Sequence, residues 1–244
     1  MKNIMLKCFE MIGGKIGLSL LITSCLLILS GCHPLQQSES DKIDLYEKNF
    51  EIVGSEKDEL IGQVNPAIFT TADRSNKEAE QVESDVFTKE GVKVTLQSGR
   101  YSISGYPAGN IFIYDKNGDL VIREIVGHSG IVGSSLTVDI EDTYTVFADG
   151  GFDHVSFTPV PTQLSTNLTA GIWEVGLDIE AGDYSIGSEN GLGYIEIHET
   201  GTEPVLYEII GGTQSGSKSR VKLTEGQKVR VTGISSVQFT PVEE

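Results

Sequence analysis

The sequence predicts an all-β protein: two tandem repeats of a small antiparallel β-sandwich or jelly-roll-like domain, placed after a signal peptide and a flexible linker. Three observations carry this expectation. Apolar residues alternate along short segments, glycine is abundant, and the C-terminal two thirds of the chain repeats itself.

The alternation comes first. Val92, Val94 and Leu96 occur at period two, as do Leu136, Val138 and Ile140, then Tyr144 and Val146. Further on, Val175, Leu177 and Ile179 alternate, followed by Val221 and Leu223, then Val229 and Val231. Period two places such residues on one face of a strand. The 28 glycines, with many Ser and Thr and short β-branched runs, demand frequent turns. One turn is explicit: Asp115-Lys116-Asn117-Gly118-Asp119 separates two apolar runs, and Asn-Gly is the preferred pair for a tight type I′ hairpin.

The repeat is collinear. Ser98 to Ile103 (SGRYSI) recurs as Ala181 to Ile186 (AGDYSI), and Gly109 to Tyr114 (GNIFIY) as Gly193 to His198 (GYIEIH). Ile122 to Gly127 (IREIVG) matches Leu206 to Gly211 (LYEIIG), Ser134 to Val138 (SSLTV) matches Ser219 to Leu223 (SRVKL), and Phe157-Thr158-Pro159-Val160 matches Phe239-Thr240-Pro241-Val242. Five matches in one order and at nearly constant spacing read as two copies of a complete domain, since the period is too long for a solenoid coil.

The N-terminus has a different character. Lys2, Lys7 and Lys15 precede the uncharged run Ile16 to Leu29. A basic start, a short apolar stretch and small residues before a cut site make a secretory signal. The run is shorter than the roughly 20 residues a membrane-crossing helix needs. Leu29-Ser30-Gly31-Cys32 resembles the bacterial lipobox. That resemblance implies a lipid thioether on Cys32, palmitate among its acyl chains, and cleavage between Gly31 and Cys32. It also implies a location on the extracytoplasmic face of the cell membrane. Cys8 and Cys25 leave with the signal, so the processed chain has no thiol left for disulfides, soft-metal ligation or catalysis.

Charge excludes other functions. The formal net charge is -17, and removing the basic signal leaves the remainder more acidic still. Such a surface repels the phosphate backbone, so no nucleic-acid partner is expected, and attachment to the membrane is left to the lipid on Cys32. Residues 32–87 include polar and charged stretches such as NKEAEQVESD and read as a lipid anchor and acidic linker. Within them, VNPAIFTT (64–71) is a candidate extra strand for the first copy. The expected organisation is therefore signal peptide 1–31, linker 32–87, first β domain 88–162 and second β domain 168–244.

Gly171 to Tyr184 (GIWEVGLDIEAGDY) resembles the opening of an uncharacterised small β module in Gram-positive surface lipoproteins. The likeness covers the second copy well. The first copy lacks the Gly-x-Trp and Asp-Ile elements before Ser98. What the resemblance implies concerns fold and location rather than activity.

A search for chemistry finds little. Asp115, Asn117 and Asp119 share the alternation of a calcium loop but lack its downstream glutamate. His33, His128, His154 and His198 show no metal-ligand spacing, and no metal or cofactor is expected. There is no nucleophile elbow, and Ser129 follows His128 directly, a spacing that points the two side chains apart on a strand. The protein is therefore not read as an enzyme.

Residues present in both copies first serve the fold: Tyr101 and Tyr184 as anchors whose hydroxyls reach backbone, Phe157 and Phe239 as core. Glu124 and Glu208, matched between copies, are the retained carboxylates with a candidate ligand role. Aromatics outside the shared set, Tyr106, Trp173 and Tyr207, complete the candidate contacts. The leading expectation is a non-catalytic binding or adhesion module whose ligand is a glycan, a cell-wall polymer or an envelope protein. An accessory envelope lipoprotein that binds a partner protein is the second expectation, and a glycan-active enzyme the third.

Overall fold

The computed structural model describes residues 38–84, 90–128, 133–212 and 219–242. Cys32, Gly31 and Ser129 lie outside them. Among the described residues the fold is all-β apart from helices α1 (Glu39–Asn49) and α2 (Ser55–Ile61) and the 3-10 turn Pro66–Phe69.

In the first half, one layer pairs β2 (Val82–Ser84), β9 (His154–Pro159), β4 (Gly99–Tyr106) and β7 (Leu136–Ile140) in that order. The other pairs β3 (Val92–Val94), β8 (Thr145–Gly150), β5 (Ala108–Tyr114) and β6 (Leu120–Gly127). The core between them holds Ile103, Leu136 and Phe157 from one layer and Ile111, Ile122 and Val146 from the other.

The second half uses the same pairings with fewer, longer strands. β11 (Gly182–Gly187) lies between β14 (Ser219–Leu223) and the end of β15 (Lys228–Pro241). β12 (Leu192–His198) lies between β13 (Val205–Ile210) and the start of β15. β10 (Asn167–Glu174) runs alongside both portions of β15, occupying the places that β2 and β3 hold in the first half. Ile186, Phe239, Ile195, Val231 and Ile209 fill this core.

Pairing also decides which residues correspond. Tyr101 faces Val138 and Pro159, and Tyr184 faces Val221 and Pro241. Leu136–Ile140 (LTVDI), rather than SSLTV, is therefore the counterpart of Ser219–Leu223. Alternation survives a two-residue shift without changing faces, so the pattern alone could not place this strand. Both tyrosine hydroxyls donate to backbone four residues back, Tyr101 to Gln97 O at 3.0 Å and Tyr184 to Glu180 O at 2.9 Å. Tyr101→Phe and Tyr184→Phe should each cost about 1 kcal/mol, read as a lowered denaturation midpoint, because each loses a hydrogen bond from a buried tyrosine to backbone.

The hairpin after β5 is not type I′. That turn needs positive φ at both central residues, and here Gly118 alone has it, at 85°. Gly118 N donates to Asp115 O, and Asp115 N to Asp119 O, giving a type I turn closed by a glycine bulge. Asp115 Oδ1 accepts from the amides of Asn117 and Asp119 and holds the turn from inside.

The expected linker differs most from expectation. Over residues 38–84 it is built into the body. Ser38 caps α1 through the Asp41 amide, and Tyr46 donates to the Glu208 carboxylate, which pushes the phenol up to about 12. Asn49 exchanges two bonds with the backbone of Arg220, closing the β14 edge, while β1 (Glu51–Ile52) extends the sheet beyond β13. The 64–71 segment forms the 3-10 turn instead of a strand, with Ile68 buried in the first core. Asn76 donates to Val160 O and accepts from Arg100 N, and β2 starts the first half before residue 88. The attachments through Ser38, Tyr46, Asn49 and Asn76 are hydrogen bonds from polar side chains, which hydropathy cannot register.

The halves join where Gly171 of β10 meets Thr137 of β7 in a parallel bridge. Around this contact lies a charge network that is largely shielded from water. Arg100 donates to Asp139 at 2.9 Å and pairs with Asp178 at 3.1 Å. Arg74, from the supposed linker, bonds both carboxylates. Lys228 reaches Glu174 at 2.6 Å and Thr71 at 2.9 Å. Three cations meet three carboxylates. Burial opposes the charge on Arg74, but Asp139 and Asp178 hold it above its ordinary value. Burial likewise opposes the charge on Glu174, and Lys228 and Thr71 pull it below the usual range.

Candidate functional site

Four of the five candidate contacts are engaged in the interior or in structural bonds. Trp173 is half-buried at the junction: its indole donates to Thr169 O at 2.8 Å and the Arg100 guanidinium lies 4.8 Å over its ring. Tyr207 belongs to the second core, and burial pushes its phenol up to about 12. Glu208 accepts the Tyr46 hydroxyl and so pins α1.

Glu124 and Glu208 are also not counterparts. Glu124 lies opposite Ile111, and the residue opposite the matching Ile195 is Tyr207. The one-residue difference turns the two glutamates to opposite faces of their sheets. Glu124 is 3% exposed and reaches across to the second half, accepting from Thr232 Oγ1 at 2.6 Å and Gly233 N at 2.9 Å. Its partial match to an apolar repeat hid this role.

Desolvation holds the Glu124 carboxyl above its ordinary value, and the Thr232 and Gly233 bonds only partly offset it. A raised folded pKa means that this carboxyl favours folding below the unfolded value and loses that contribution as pH rises through the folded one. Glu124→Gln should therefore raise stability near neutrality by roughly 1 kcal/mol, with the advantage vanishing in acid. Denaturant midpoints at several pH values measure it.

Tyr106 alone among the five presents a ring to solvent, at 48% exposure. It ends β4 opposite His154 of β9, and His128 follows β6. The rings converge: Tyr106 to His154 at 6.0 Å, stacked, and Tyr106 to His128 at 5.9 Å, edge-on. Both histidines are exposed. Backbone bonds set the geometry, with Asp153 N donating to Tyr106 O and His128 N to Pro107 O. Buried Phe152 lies beneath, close to Gly105 and Gly109. The result is a rigid aromatic patch that can stack on a flat or apolar ring face and donate or accept hydrogen bonds at its rim. Sequence spacing had separated Tyr106 from both histidines, since only strand pairing brings 106, 128 and 154 together.

At the far end of β5 and β6 lies a groove of about 1050 Å³, walled by residues 61–70, the 115–120 hairpin and the β7–β8 turn. Another interior cluster escaped the sequence reading: His198 Nε2 lies 2.9 Å from Glu196, which also pairs with Arg230 at 3.2 Å. Among the described residues no group of three or more His, Cys, Asp or Glu side chains is placed to hold a metal, and no helix is long and apolar enough to cross a membrane.

No family model, curated protein or solved structure matches this chain.

Proposed function

We propose that the protein is a non-catalytic binding module held at the extracytoplasmic face of the cell membrane by a lipid on Cys32. Its ligand-contacting surface is the Tyr106–His128–His154 patch. The observation that carries this reading is an exposed aromatic ring braced by two further rings on a tightly packed support. Residues that serve only the fold do not need such exposure, and an open stacking surface recognises ring faces without reacting with them. Cell-wall glycans, with their apolar sugar faces, fit this surface. The acidic body disfavours anionic polymers.

Two measurements test the two parts. Mass spectrometry of the protein from its membrane should find acyl mass on Cys32; a free thiol there would overturn the anchor. In pull-downs with cell-wall polysaccharide, Tyr106→Ala should weaken retention by about tenfold, the size of a modest aromatic anchor. Its melting temperature should not change. Retention equal to that of the unaltered protein would overturn the patch.

A further inference from the structure

We propose that the groove beside the 115–119 hairpin is a second binding site, for a neutral, hydroxyl-rich ligand of a few linked sugar rings. It does not depend on the Tyr106 reading. β5 spans seven residues between the two places, about 20 Å of extended strand.

The groove is not a by-product of the repeat. One wall is the segment 61–70, which precedes the first half and has no equivalent in the short connection from Pro159 to Asn167. This segment is pinned in place at three points. Asn65 donates to Asp115 Oδ2 at 3.1 Å, Ile68 is buried in the core, and Thr71 bonds Lys228 and Glu174. The segment is thus held against the hairpin, with Val64, Ala67, Ile68 and Phe69 packing on the first core and Gln63, Asn65 and Thr70 left toward the groove.

The lining suits saccharide chemistry. Among the described residues, the side chains of Gln63, Lys116, Asp119, Glu141 and Thr143 make no hydrogen bond or ion pair within the protein. They offer amide, ammonium, carboxylate and hydroxyl groups at the rim. Pro66, Ala67 and Leu120 supply apolar surface between them, and Leu120 is 44% exposed. Hydroxyl edges with apolar C–H faces match that alternation. The groove, about 1050 Å³ and open to solvent, has room for a few sugar rings. Asp115, Asp119 and Glu141 outnumber the one lysine, which selects against anionic sugars.

Isothermal titration calorimetry on the full chain in detergent tests this with three probes: a β-1,4-linked N-acetylglucosamine tetramer, maltotetraose and anionic tetragalacturonate. At least one neutral probe should bind with a millimolar or lower Kd, and tetragalacturonate more weakly. Thr143→Trp, which fills the groove from an exposed turn, and Asp119→Ala should each weaken binding about tenfold or more while the melting temperature holds. Tyr106→Ala should leave unchanged the part of this binding that Thr143→Trp removes. No heat with either neutral probe at high millimolar concentration would overturn the proposal, as would preference for tetragalacturonate or undiminished binding by folded Thr143→Trp. Loss of binding in Tyr106→Ala alone would also overturn it, and would assign the sugar to the aromatic patch.

Discussion

Replacing Arg100 by alanine is expected to cost about 3–5 kcal/mol, a large part of the stability of a chain this size. Its side chain is 1% exposed and pairs with Asp139, from its own half, and Asp178, also 1% exposed, from the other. Truncation removes one of two guanidinium groups serving these carboxylates and leaves charge in a site that water scarcely reaches. Arg74 is then the one remaining guanidinium for both, with the Glu174 amide still donating to Asp178. Trp173 also loses the cation stacked on its ring. The penalty comes from stranding partners, not from any net worth of the ion pairs, since a buried network can be no more stabilising than a well-packed apolar one. Urea denaturation followed by Trp173 fluorescence should show the lowered midpoint, and the two halves should begin to unfold separately. A loss below 1 kcal/mol would mean that the junction does not depend on this network.

Gly171→Ala should be comparably damaging, by roughly 3 kcal/mol or more. Gly171 has φ 152°, and a Cβ there would lie 2.1 Å from Thr137 O, a backbone atom that cannot swing aside. The substitution must push β10 away from β7 and open the bridge between the halves. Gly118→Ala is a useful contrast, because its added methyl meets nothing within 4 Å. Only left-handed backbone strain is paid there, about 1 kcal/mol. Melting both variants side by side separates contact from conformation; equal losses would argue against close approach as the cause.

These two sites fasten the two halves into a single body rather than leaving them as beads on a flexible string. Arg74 and Thr71 fasten the segment after α2 to both halves. The segment expected to be a linker instead forms part of the body over residues 38–84.

Particular residues show how far the sequence alone could go. Period-two alternation identified Leu136, Val138 and Ile140 as one strand face, and all three are buried. The Gly-x-Tyr turns marked Tyr101 and Tyr184 as structural. The same signals misplaced Glu124, because the repeat match carried no information about strand partners. Trp173 and Tyr207 are unshared aromatics and so candidates in the sequence, Trp173 also as a buried residue opening the second copy; Trp173 packs at the junction and Tyr207 fills the second core. Tyr106 was legible as an unshared aromatic, but not its two histidine neighbours.

The sequence by itself determined the all-β class, the buried face of strands such as Leu136–Ile140, the place of the 115–119 turn and the acidic charge. Each of these follows from local properties: side-chain alternation, backbone freedom and charge count. Tertiary structure alone decided the register between strands, the union of the two halves and the fate of residues 38–84. It also decided which aromatic kept its face in solvent. Those outcomes depend on contacts between residues distant in the chain, where a one-residue shift reverses every side chain and a polar segment is held by hydrogen bonds that no hydrophobic pattern announces.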